Sequence, residues 1–362
     1  MNVVIAGGGT GGHLYPGIAV ARELASRVPG IRISFAGTSQ GIEARVVPRE
    51  GFALDLIRSG GIKGKSIAVR ARGGLLLVPG LIDAWRIVTA REPNLVIGVG
   101  GYSSGPVVLA AALRGVPTLL LEQNAVPGLT NRLLAPIARA AAVTFESTTA
   151  FFGPRAFVSG NPVRPEFLAP AAPIEESGAD GRSPDVQVLV FGGSQGAHAI
   201  NVAMVEAAKE LAARIPHLRL THQTGERDLE MVRSAYEQAG VAADAAAFFD
   251  DMARRIGRAD LIVCRAGATT LAEVTAAGKP SILVPLPTAT DDHQRQNAES
   301  LAQAGAAEVL LQPMTGRALA DRIAALAEDG GRRARMARAA RALAKPDAAR
   351  VIVDRALQLV KK

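Results

Sequence analysis

Close to its amino terminus the chain reads Val3-Val4-Ile5-Ala6-Gly7-Gly8-Gly9-Thr10-Gly11-Gly12-His13. A short apolar run that ends in glycines and leads into a helical pattern is typical of a strand, loop and helix unit of a parallel sheet. Glycines let the backbone approach a ligand closely, and N–H groups at the start of the following helix attract a phosphate. The stretch therefore predicts an α/β domain with an anion site after its first strand.

The same glycines also match the dinucleotide pattern GxGxxG, through Gly7, Gly9 and Gly12. A dinucleotide site needs in addition an acidic residue near the end of the second strand, where it holds a ribose hydroxyl. At that point the sequence reads Ala36-Gly37-Thr38-Ser39-Gln40, and Glu43 is the nearest carboxylate. Nicotinamide or flavin binding is therefore disfavoured.

Two further glycine loops follow strand-like runs. Val188-Leu189-Val190-Phe191 leads into Gly192-Gly193-Ser194-Gln195-Gly196-Ala197, and Gly98-Val99-Gly100-Gly101-Tyr102-Ser103-Ser104-Gly105-Pro106 ends another apolar run. One such loop alone is as consistent with a plain turn as with a ligand site. Three of them predict two Rossmann-like parallel-sheet domains that face each other across a cleft and hold a phosphorylated substrate there.

Apolar runs and helical patterns alternate along the whole chain, which favours the α/β class in both halves. The first half is predicted to contain strands at 2–6, 31–36, 94–99, 117–121 and 140–145 and a helix at 16–28. The second half is predicted to contain strands at 186–191, 218–223, 261–264 and 281–284 and helices at 197–214, 269–277, 293–304 and 347–360. Prolines and glycines over 161–185 predict a linker, so we place the domains at 1–162 and 163–346.

Length and composition bound the class of protein. The chain has 362 residues, of which 48% are hydrophobic and 20% charged, which is typical of a globular protein large enough for two cores. Its single cysteine, Cys264, excludes a disulfide framework and a multi-cysteine metal site and favours a reducing compartment. We expect no membrane-spanning segment, because Arg114 and Arg139 interrupt the longest apolar stretches. We also expect no secretory signal.

The net charge of +8 lies in the first half. Residues 1–160 carry 16 Lys and Arg against 8 Asp and Glu, whereas the rest carries 25 of each. An anionic partner is therefore expected for the first half. Only 4% of residues are aromatic and no nucleic-acid motif is present, so a phosphorylated ligand or an anionic membrane face fits better than nucleic acid.

A basic stretch at 56–82 precedes an apolar stripe at helical spacing, formed by Leu77, Leu81, Trp85 and Val88. Two interpretations stay open. The stripe can face the core of the domain. Alternatively, Leu77, Leu81 and Trp85 dip into a membrane interface while the neighbouring cations contact anionic lipid.

Taken in order, several motifs resemble the MurG family of undecaprenyldiphospho-muramoylpentapeptide β-N-acetylglucosaminyltransferases. They are Gly7-Gly-Gly-Thr-Gly-Gly-His13, Gly100-Gly-Tyr-Ser-Ser-Gly-Pro106, Glu122-Gln-Asn124, Gly160-Asn-Pro-Val-Arg164, Gly192-Gly-Ser-Gln-Gly196, Cys264-Arg-Ala-Gly-Ala268 with Glu273, and Asp291-Asp-His-Gln294 with Asn297. The resemblance covers nearly the whole chain. It implies the two-domain GT-B fold, with the carboxyl-terminal segment 347–362 returning to the first domain.

The resemblance also implies a reaction. N-acetylglucosamine passes with inversion from UDP-N-acetylglucosamine to the 4-hydroxyl of the muramoyl sugar of lipid I, and lipid II and UDP are the products. It implies an acceptor- and membrane-binding first domain, a UDP-sugar-binding second domain, no metal and no cofactor, and a peripheral location on the cytoplasmic face of the cell membrane. The alternatives are a UDP-N-acetylglucosamine 2-epimerase of related fold and, outside enzymes, a nucleotide-binding scaffold.

Site residues follow by motif. The resemblance implies His13 as the general base, with Glu122 as the alternative, because an inverting displacement requires a group that takes the acceptor proton. It implies binding roles for the following residues: Thr10, Gly11, Gly12, Asn124, Arg164, Ser194, Gln195, Gly196, Phe249, Ala268, Thr269, Thr270, Leu271, Ala272, Glu273, His293 and Gln294. Among them, Ser194 and its neighbours are assigned to the diphosphate, Glu273 to the ribose, Phe249 to the uracil, and His293 and Gln294 to the donor sugar.

Overall fold

The structure is a computed structural model that describes residues 1–60, 77–168, 185–193 and 196–361. The chain forms two compact units. Unit 1 comprises Met1–Arg164 together with Lys345–Lys362, and unit 2 comprises Pro165–Ala344. Residues 61–76, with most of the basic stretch, residues 169–184 of the predicted linker, and the predicted site residues Ser194 and Gln195 lie outside the described residues.

Unit 1 is an α/β unit with one parallel sheet. Its strands are β1 (Asn2–Ala6), β2 (Arg32–Gly37), β3 (Ala53–Leu56), β4 (Leu95–Gly98), β5 (Thr118–Glu122), β6 (Ala140–Val143) and β7 (Ala156–Val158). Its helices before the boundary are α1 (Gly11–Arg27), α2 (Glu43–Arg49), α3 (Leu77–Arg91), α4 (Ser104–Leu113), α5 (Leu129–Leu134) and α6 (Thr149–Phe152). The strand order is β3-β2-β1-β4-β5-β6-β7, and the paired strands run parallel.

Unit 2 repeats this plan with a six-stranded sheet. Its strands are β8 (Val186–Phe191), β9 (Leu218–Gln223), β10 (Ala242–Ala246), β11 (Leu261–Cys264), β12 (Ser281–Leu283) and β13 (Ala307–Val309). Its helices are α7 (His198–Arg214), α8 (Leu229–Ala239), α9 (Met252–Arg258), α10 (Ala268–Ala276), α11 (His293–Gln303), α12 (Gly316–Glu328) and α13 (Gly330–Leu343). The strand order is β10-β9-β8-β11-β12-β13, again with parallel pairs.

Both faces of the unit 1 sheet are covered, which explains why its central strands are apolar without alternation. Val3 and Ile5 of β1 pack in one cluster with α1, while Val4 and Ala6 pack in another with α3 and α4. Each of these four side chains is at most 1% exposed. The prediction of two separate α/β parts with parallel sheets is therefore confirmed.

The last helix, α14 (Ala348–Val360), packs on unit 1. Ile352, Val353 and Ala356 are buried in the same cluster as the apolar face of α1, and Arg27 of α1 pairs with Asp354 at 2.7 Å. Burying a large aliphatic side chain stabilises a fold by roughly 1.5–3 kcal/mol. The amphipathic helix therefore has its apolar face covered by the first unit.

The sequence prediction was wrong at one helix start and missed several strands. Helix α1 begins at Gly11 and not at Pro16: Thr10 already has the extended backbone of an N-cap, and Pro16 lies inside the helix. The missed strands β3, β7, β10 and β13 are the edge strands of the two sheets. They are short and partly exposed, so the uninterrupted apolar run that marks a central strand is absent.

Candidate active site

The predicted loops lie where the strand order of each sheet reverses direction. In unit 1, β1 and β4 are neighbours, and the chain extends from β1 toward β3 and from β4 toward β7. In unit 2, β8 and β11 occupy the corresponding places. In open parallel sheets, ligands bind at this position outside the carboxyl ends of the strands, because the two adjacent loops turn away to opposite faces. Each unit therefore has its own candidate position for ligand binding.

In unit 1, the loop after β1 and the loop after β4 contact each other closely. Gly7 has φ +142°, and a Cβ atom at this position would overlap the carbonyl oxygen of Gly100. A Cβ atom on Gly101, where φ is +81°, would lie 2.6 Å from the carbonyl oxygen of Gly8. Only glycine satisfies both the backbone conformation and the space, so these glycines serve the packing of the two loops.

Two amides of this loop donate hydrogen bonds within the protein. The N–H of Gly7 donates to the carbonyl oxygen of Ala36 at 3.1 Å, and the N–H of Gly9 donates to Oε2 of Glu43 at 2.8 Å. Exposed or partly exposed positions begin only at Gly9, and residues 10–13 form the accessible start of α1. The accessible part of this segment therefore includes Thr10, Gly11 and Gly12, the residues predicted to bind an anion.

His13 lies in the first turn of α1 and against the second loop. Its Nδ1 is 3.3 Å from Oγ1 of Thr10, and its ring touches Gly100 so closely that a Cβ atom there would lie 2.8 Å from Cδ2 of His13. The imidazole is partly exposed. The ring of His13, the predicted base, therefore lies between Thr10 at the start of α1 and Gly100 of the loop after β4.

Glu122, the alternative base, ends strand β5 and is 3% exposed. Oε1 accepts from the N–H of Asn124 at 3.0 Å. Oε2 accepts from the N–H of Gly128 and from Nδ2 of Asn131, both at 2.9 Å. Burial raises the pKa of the Glu122 carboxyl, and these donors oppose that effect. Both oxygens therefore accept hydrogen bonds from the segment 124–131.

Arg164 and Asn124 occupy partly exposed positions of the same unit. The guanidinium of Arg164 lies 5.2 Å from the ring centroid of Tyr15, which belongs to α1 two residues after His13. Asn124 is held through its N–H by Glu122. Both predicted binding residues are therefore tied to elements that carry or adjoin the His13 site.

In unit 2, the loop after β8 is supported by strand β9. Gly196 has φ +74°, and a Cβ atom there would overlap the carbonyl oxygen of Thr224. Gln223 donates through Nε2 to the carbonyl oxygen of Gly193 at 2.9 Å and accepts through Oε1 from the N–H of Phe249 at 2.9 Å. Gln223 thus connects the glycine loop to the loop after β10. Sequence reasoning missed it, although a polar residue at the carboxyl end of a strand is the signal that could have found it.

A buried polar network lies behind this loop. Nδ2 of Asn201 donates to the carbonyl oxygen of Thr224 and to Asp228, both at 2.8 Å. Oδ1 of Asn201 lies 3.0 Å from Nε2 of His222, whose Nδ1 lies 2.7 Å from the Tyr236 hydroxyl. Burial lowers the pKa of His222 to about 3, so its ring is neutral. The network keeps Thr224 in place against Gly196.

Phe249 is 7% exposed, and the guanidinium of Arg255 lies 3.5 Å from its ring centroid. Arg255 is itself held by Asp251 and Asp244 at 2.7 and 2.6 Å. One face of the ring is therefore covered by a guanidinium, which is a packing and cation–π arrangement. Phe249, the residue predicted to lie beside the uracil, is thus largely buried.

Helix α10 follows β11 and carries the predicted nucleotide wall. Thr269, Thr270 and Ala272 are partly exposed, whereas Ala268 and Leu271 are buried. Glu273 is 8% exposed, which excludes the interpretation that it is a solvent-facing helix residue. Burial raises the pKa of the Cys264 thiol, and the Glu273 carboxylate contributes to this effect. Cys264 is therefore an inert core residue, and Glu273 lies near enough to it to act on it electrostatically.

Gln294 and His293 begin helix α11. Oε1 of Gln294 accepts from the N–H of Leu286 at 3.0 Å, which orients the side chain and directs its amide N–H groups away from that bond. Nδ1 of His293 donates to the carbonyl oxygen of Thr290 at 2.7 Å. Nearby, Arg265 donates to the carbonyl oxygens of Val284 and Pro285 at 3.1 and 3.2 Å, so the loops after β11 and β12 are tied together.

The predicted membrane stripe divides between the core and the surface. Leu81 is only partly exposed and packs, as the fully buried Val88 does, against the core of unit 1, so the assignment of Leu81 to a membrane surface is corrected. Trp85 and Ile82 are each 45% exposed and Val78 is 69% exposed. A helix advances by 100° per residue, so residues 77, 81, 85 and 88 form a stripe, and this stripe crosses the edge of the buried face. Leu81 and Val88 point toward the core and Trp85 points toward the surface. The side chain of Leu77 is outside the described residues.

Around Trp85 the surface is both apolar and cationic. The guanidinium of Arg114 lies 5.3 Å from the Trp85 ring centroid, and the neighbouring Leu113 is 66% exposed. Arg58 of the basic stretch is instead paired with Asp83 at 2.7 Å. Within the described residues, no helix combines the length and apolar character needed to span a bilayer. The same residues hold no cluster of three side chains suited to a metal ion.

Comparison with known proteins gives a consistent result. The family descriptions Glycosyltransferase family 28 N-terminal domain and Glycosyltransferase family 28 C-terminal domain match residues 3–143 and 187–352. The UDP-N-acetylglucosamine--N-acetylmuramyl-(pentapeptide) pyrophosphoryl-undecaprenol N-acetylglucosamine transferase of Geobacter metallireducens is 49% identical, over 98% of this chain and 97% of that protein.

Solved structures agree. The crystal structure of Acinetobacter baumannii MurG superposes with a TM-score of 0.81 at 32% identity and covers 99% of both chains. A UDP-GlcNAc 2-epimerase from Neisseria meningitidis superposes with a TM-score of 0.68 at 13% identity, over 99% of this chain and 100% of that chain, and shares the fold alone. The full-length similarity to the Geobacter metallireducens transferase and to Acinetobacter baumannii MurG, together with the two family matches, establishes that the chain belongs to glycosyltransferase family 28, the family of MurG.

Proposed function

We propose that the chain transfers N-acetylglucosamine, with inversion, from UDP-N-acetylglucosamine to the 4-hydroxyl of the muramoyl sugar of lipid I, so that lipid II and UDP are formed in peptidoglycan synthesis. The observation that carries the proposal is the full-length similarity to a relative with this named activity. The position of a glycine loop at the strand-order reversal of each sheet supports it, because such loops bind phosphorylated ligands.

On the donor side, unit 2 binds the UDP-sugar. The glycines of the loop after β8 and the start of α7 hold the diphosphate, Ser194, Gln195 and Gly196 being the residues assigned to it. The partial positive charge at the amino end of a 17-residue helix stabilises the negative charge that develops on the leaving phosphate. Since this stabilisation needs no cation, we expect transfer to continue in EDTA.

The remaining donor contacts surround this loop. Glu273 accepts hydrogen bonds from the ribose hydroxyls, and the partly exposed Thr269, Thr270 and Ala272 form the nucleotide wall with Ala268 and Leu271 behind them. Gln294, oriented by its bond to Leu286, donates to the donor sugar beside His293. Phe249 contacts the uracil by its edge.

On the acceptor side, unit 1 binds the lipid-linked substrate. Residues 10–12, at the start of α1, bind the acceptor diphosphate together with Arg164, and Asn124 contacts the sugars. The His13 imidazole takes the proton of the attacking 4-hydroxyl as the new C1–O4 bond forms and the C1–O bond to the diphosphate breaks. The electron pair of the broken bond leaves on UDP, so charge and atoms balance.

We also propose that unit 1 associates peripherally with the cytoplasmic face of the cell membrane. The exposed Val78, Ile82 and Trp85 on α3 and the adjacent Leu113 and Arg114 support this, because apolar and cationic side chains together favour an anionic lipid interface. An acceptor carried by a lipid is presented at such a surface.

A transfer assay with labelled UDP-N-acetylglucosamine and a short-chain lipid I analogue, with and without EDTA, tests the proposal. A β1,4-linked disaccharide product in both conditions is the expected result. UDP-N-acetylmannosamine formed without acceptor would identify an epimerase instead. Binding of UDP without turnover in either assay would identify a scaffold.

A further inference from the structure

Glu43 is a fully buried carboxylate for which the transfer mechanism above has no use. It begins helix α2, and its exposed fraction is 0%. Oε2 accepts from the N–H of Gly9 at 2.8 Å. Oε1 accepts from the N–H of Thr38 at 2.8 Å and from the Thr38 hydroxyl at 2.9 Å. A buried carboxylate with such donors is well satisfied and holds its partners firmly.

Three glycines leave the space that this side chain fills. A Cβ atom on Gly8 would lie 2.5 Å from Cδ of Glu43, and one on Gly37 would lie 2.5 Å from Cγ. A Cβ atom on Gly41 would overlap the carboxylate oxygens. The glycines at 8, 37 and 41 are therefore needed to admit Glu43, and the loop after β1 is built around this carboxylate.

Close contacts connect Glu43 to His13. Glu43 holds Gly8 and Gly9, and the carbonyl oxygen of Gly8 is packed against Gly101. Gly100, the neighbour of Gly101, is in turn packed against the His13 ring. A methyl group at Gly8, Gly101 or Gly100 would clash with the next member of this series. A displacement of the loop at Glu43 is therefore transmitted to the backbone that sets the position of the imidazole.

The carboxylate also determines where an anion can bind in unit 1. It takes the N–H of Gly9, which would otherwise be a donor for a phosphate, and it places a carboxyl group behind residues 7–9. A diphosphate is thereby directed to the accessible helix start at residues 10–13.

We propose that Glu43 is a positioning residue of the transfer reaction, which holds the loop after β1 so that Gly100 and His13 keep their productive places. This inference rests on the proposed function, in which His13 takes the acceptor proton. Glu43 itself touches no substrate.

The test compares Glu43→Gln with Glu50→Gln, a matched control whose carboxylate pairs with the exposed Arg22 on the same unit. The amide of glutamine brings N–H groups toward the donors of Gly9 or Thr38 and so repels one of them. We expect Glu43→Gln to lower kcat roughly a hundredfold, as for a displacement of about 1 Å at a catalytic group. The donor KM and the calorimetric Kd for UDP stay within about twofold, because unit 2 is untouched.

A second pair of variants keeps the test decisive if Glu43→Gln does not fold. Thr38→Val removes one donor to Glu43, and Thr38→Ser retains it. Thr38→Val is expected to lower kcat about tenfold and Thr38→Ser to leave it within about twofold of the wild type. The inference is overturned if folded Glu43→Gln and Thr38→Val keep kcat within about threefold of the wild type, or if their UDP affinity falls in parallel with kcat. Absence of turnover by the wild type overturns the proposed function itself, and with it this inference.

Discussion

Gly100→Ala tests whether the position of the His13 imidazole limits the rate. The added Cβ atom would lie 2.8 Å from Cδ2 of His13. Restoring an ordinary contact of 3.4 Å requires the ring to move by about 0.6 Å, since the backbone carbonyl of Gly100 is blocked by Gly7. A misplacement of about 1 Å at a reacting group costs on the order of a hundredfold in rate. We therefore expect kcat to fall between about ten- and a hundredfold.

Backbone strain must be separated from this displacement. Gly100 has φ +91°, where alanine costs about 1–2 kcal/mol. Gly51→Ala is the matched control, because Gly51 has φ +82° and nothing within 4 Å of the added Cβ atom. Both variants should lose similar thermal stability, and only Gly100→Ala should lose kcat, measured with a soluble short-chain acceptor. Equal kcat values for the two variants would show that the position of the His13 ring does not limit the rate. So would fully additive effects of Gly100→Ala and His13→Ala on kcat.

Three further predictions concern other parts of the chain. Glu273→Gln should raise the donor KM about tenfold or more while kcat changes little, because the amide keeps one accepting oxygen but loses the second one and the negative charge that strengthens hydrogen bonds from the ribose. An unchanged KM in steady-state kinetics would remove Glu273 from the site. The double variant Ile82→Ser, Trp85→Ser should sediment less with anionic vesicles and keep its UDP affinity. Leu81→Ser should instead lower the melting temperature, since Leu81 packs against the core. If the double variant still sediments with vesicles, the proposal that this surface binds the membrane is contradicted. Burial lowers the pKa of His222 to about 3, so below pH 6.5 the unfolded chain binds a proton at this residue that the native state does not bind. The free energy of unfolding therefore falls by about 1.4 kcal/mol for each pH unit of acidification from this group. In urea titrations His222→Gln should lose less stability than the wild type from pH 6.5 to 5, and an equal loss would contradict the lowered pKa of His222.

Local pattern was sufficient to predict the central strands and the glycine loops. Val3 to Ala6 and Val188 to Phe191 are apolar without interruption because both faces of each sheet are covered. The edge strands β3, β7, β10 and β13 escaped prediction because each is short and partly exposed, and a strand of this kind is recognised only by its pairing.

The candidate site was predicted unevenly. His13 and Glu273 were found because they lie in motifs that resemble a family, whereas Gln223 and Glu43 lie outside those motifs. Gln223 acts through Gly193 and Phe249, which are 30 and 26 residues away, and Glu43 acts through Gly9, which is 34 residues away. Such partners cannot be paired from spacing along one chain.

The two parallel-sheet parts, the three glycine loops and the positive charge of the first half could all be predicted from the amino-acid sequence. Hydrophobic periodicity, glycine content and charge are local properties of the chain. Only the tertiary structure decided what those glycines are for. At Gly8, Gly37 and Gly41 they admit the Glu43 side chain, and at Gly100 and Gly196 they allow a ring or a carbonyl to approach. Space between distant segments is a property of packing, so only the folded chain could show that the Glu43 side chain of helix α2 fills the space beside the first glycine loop.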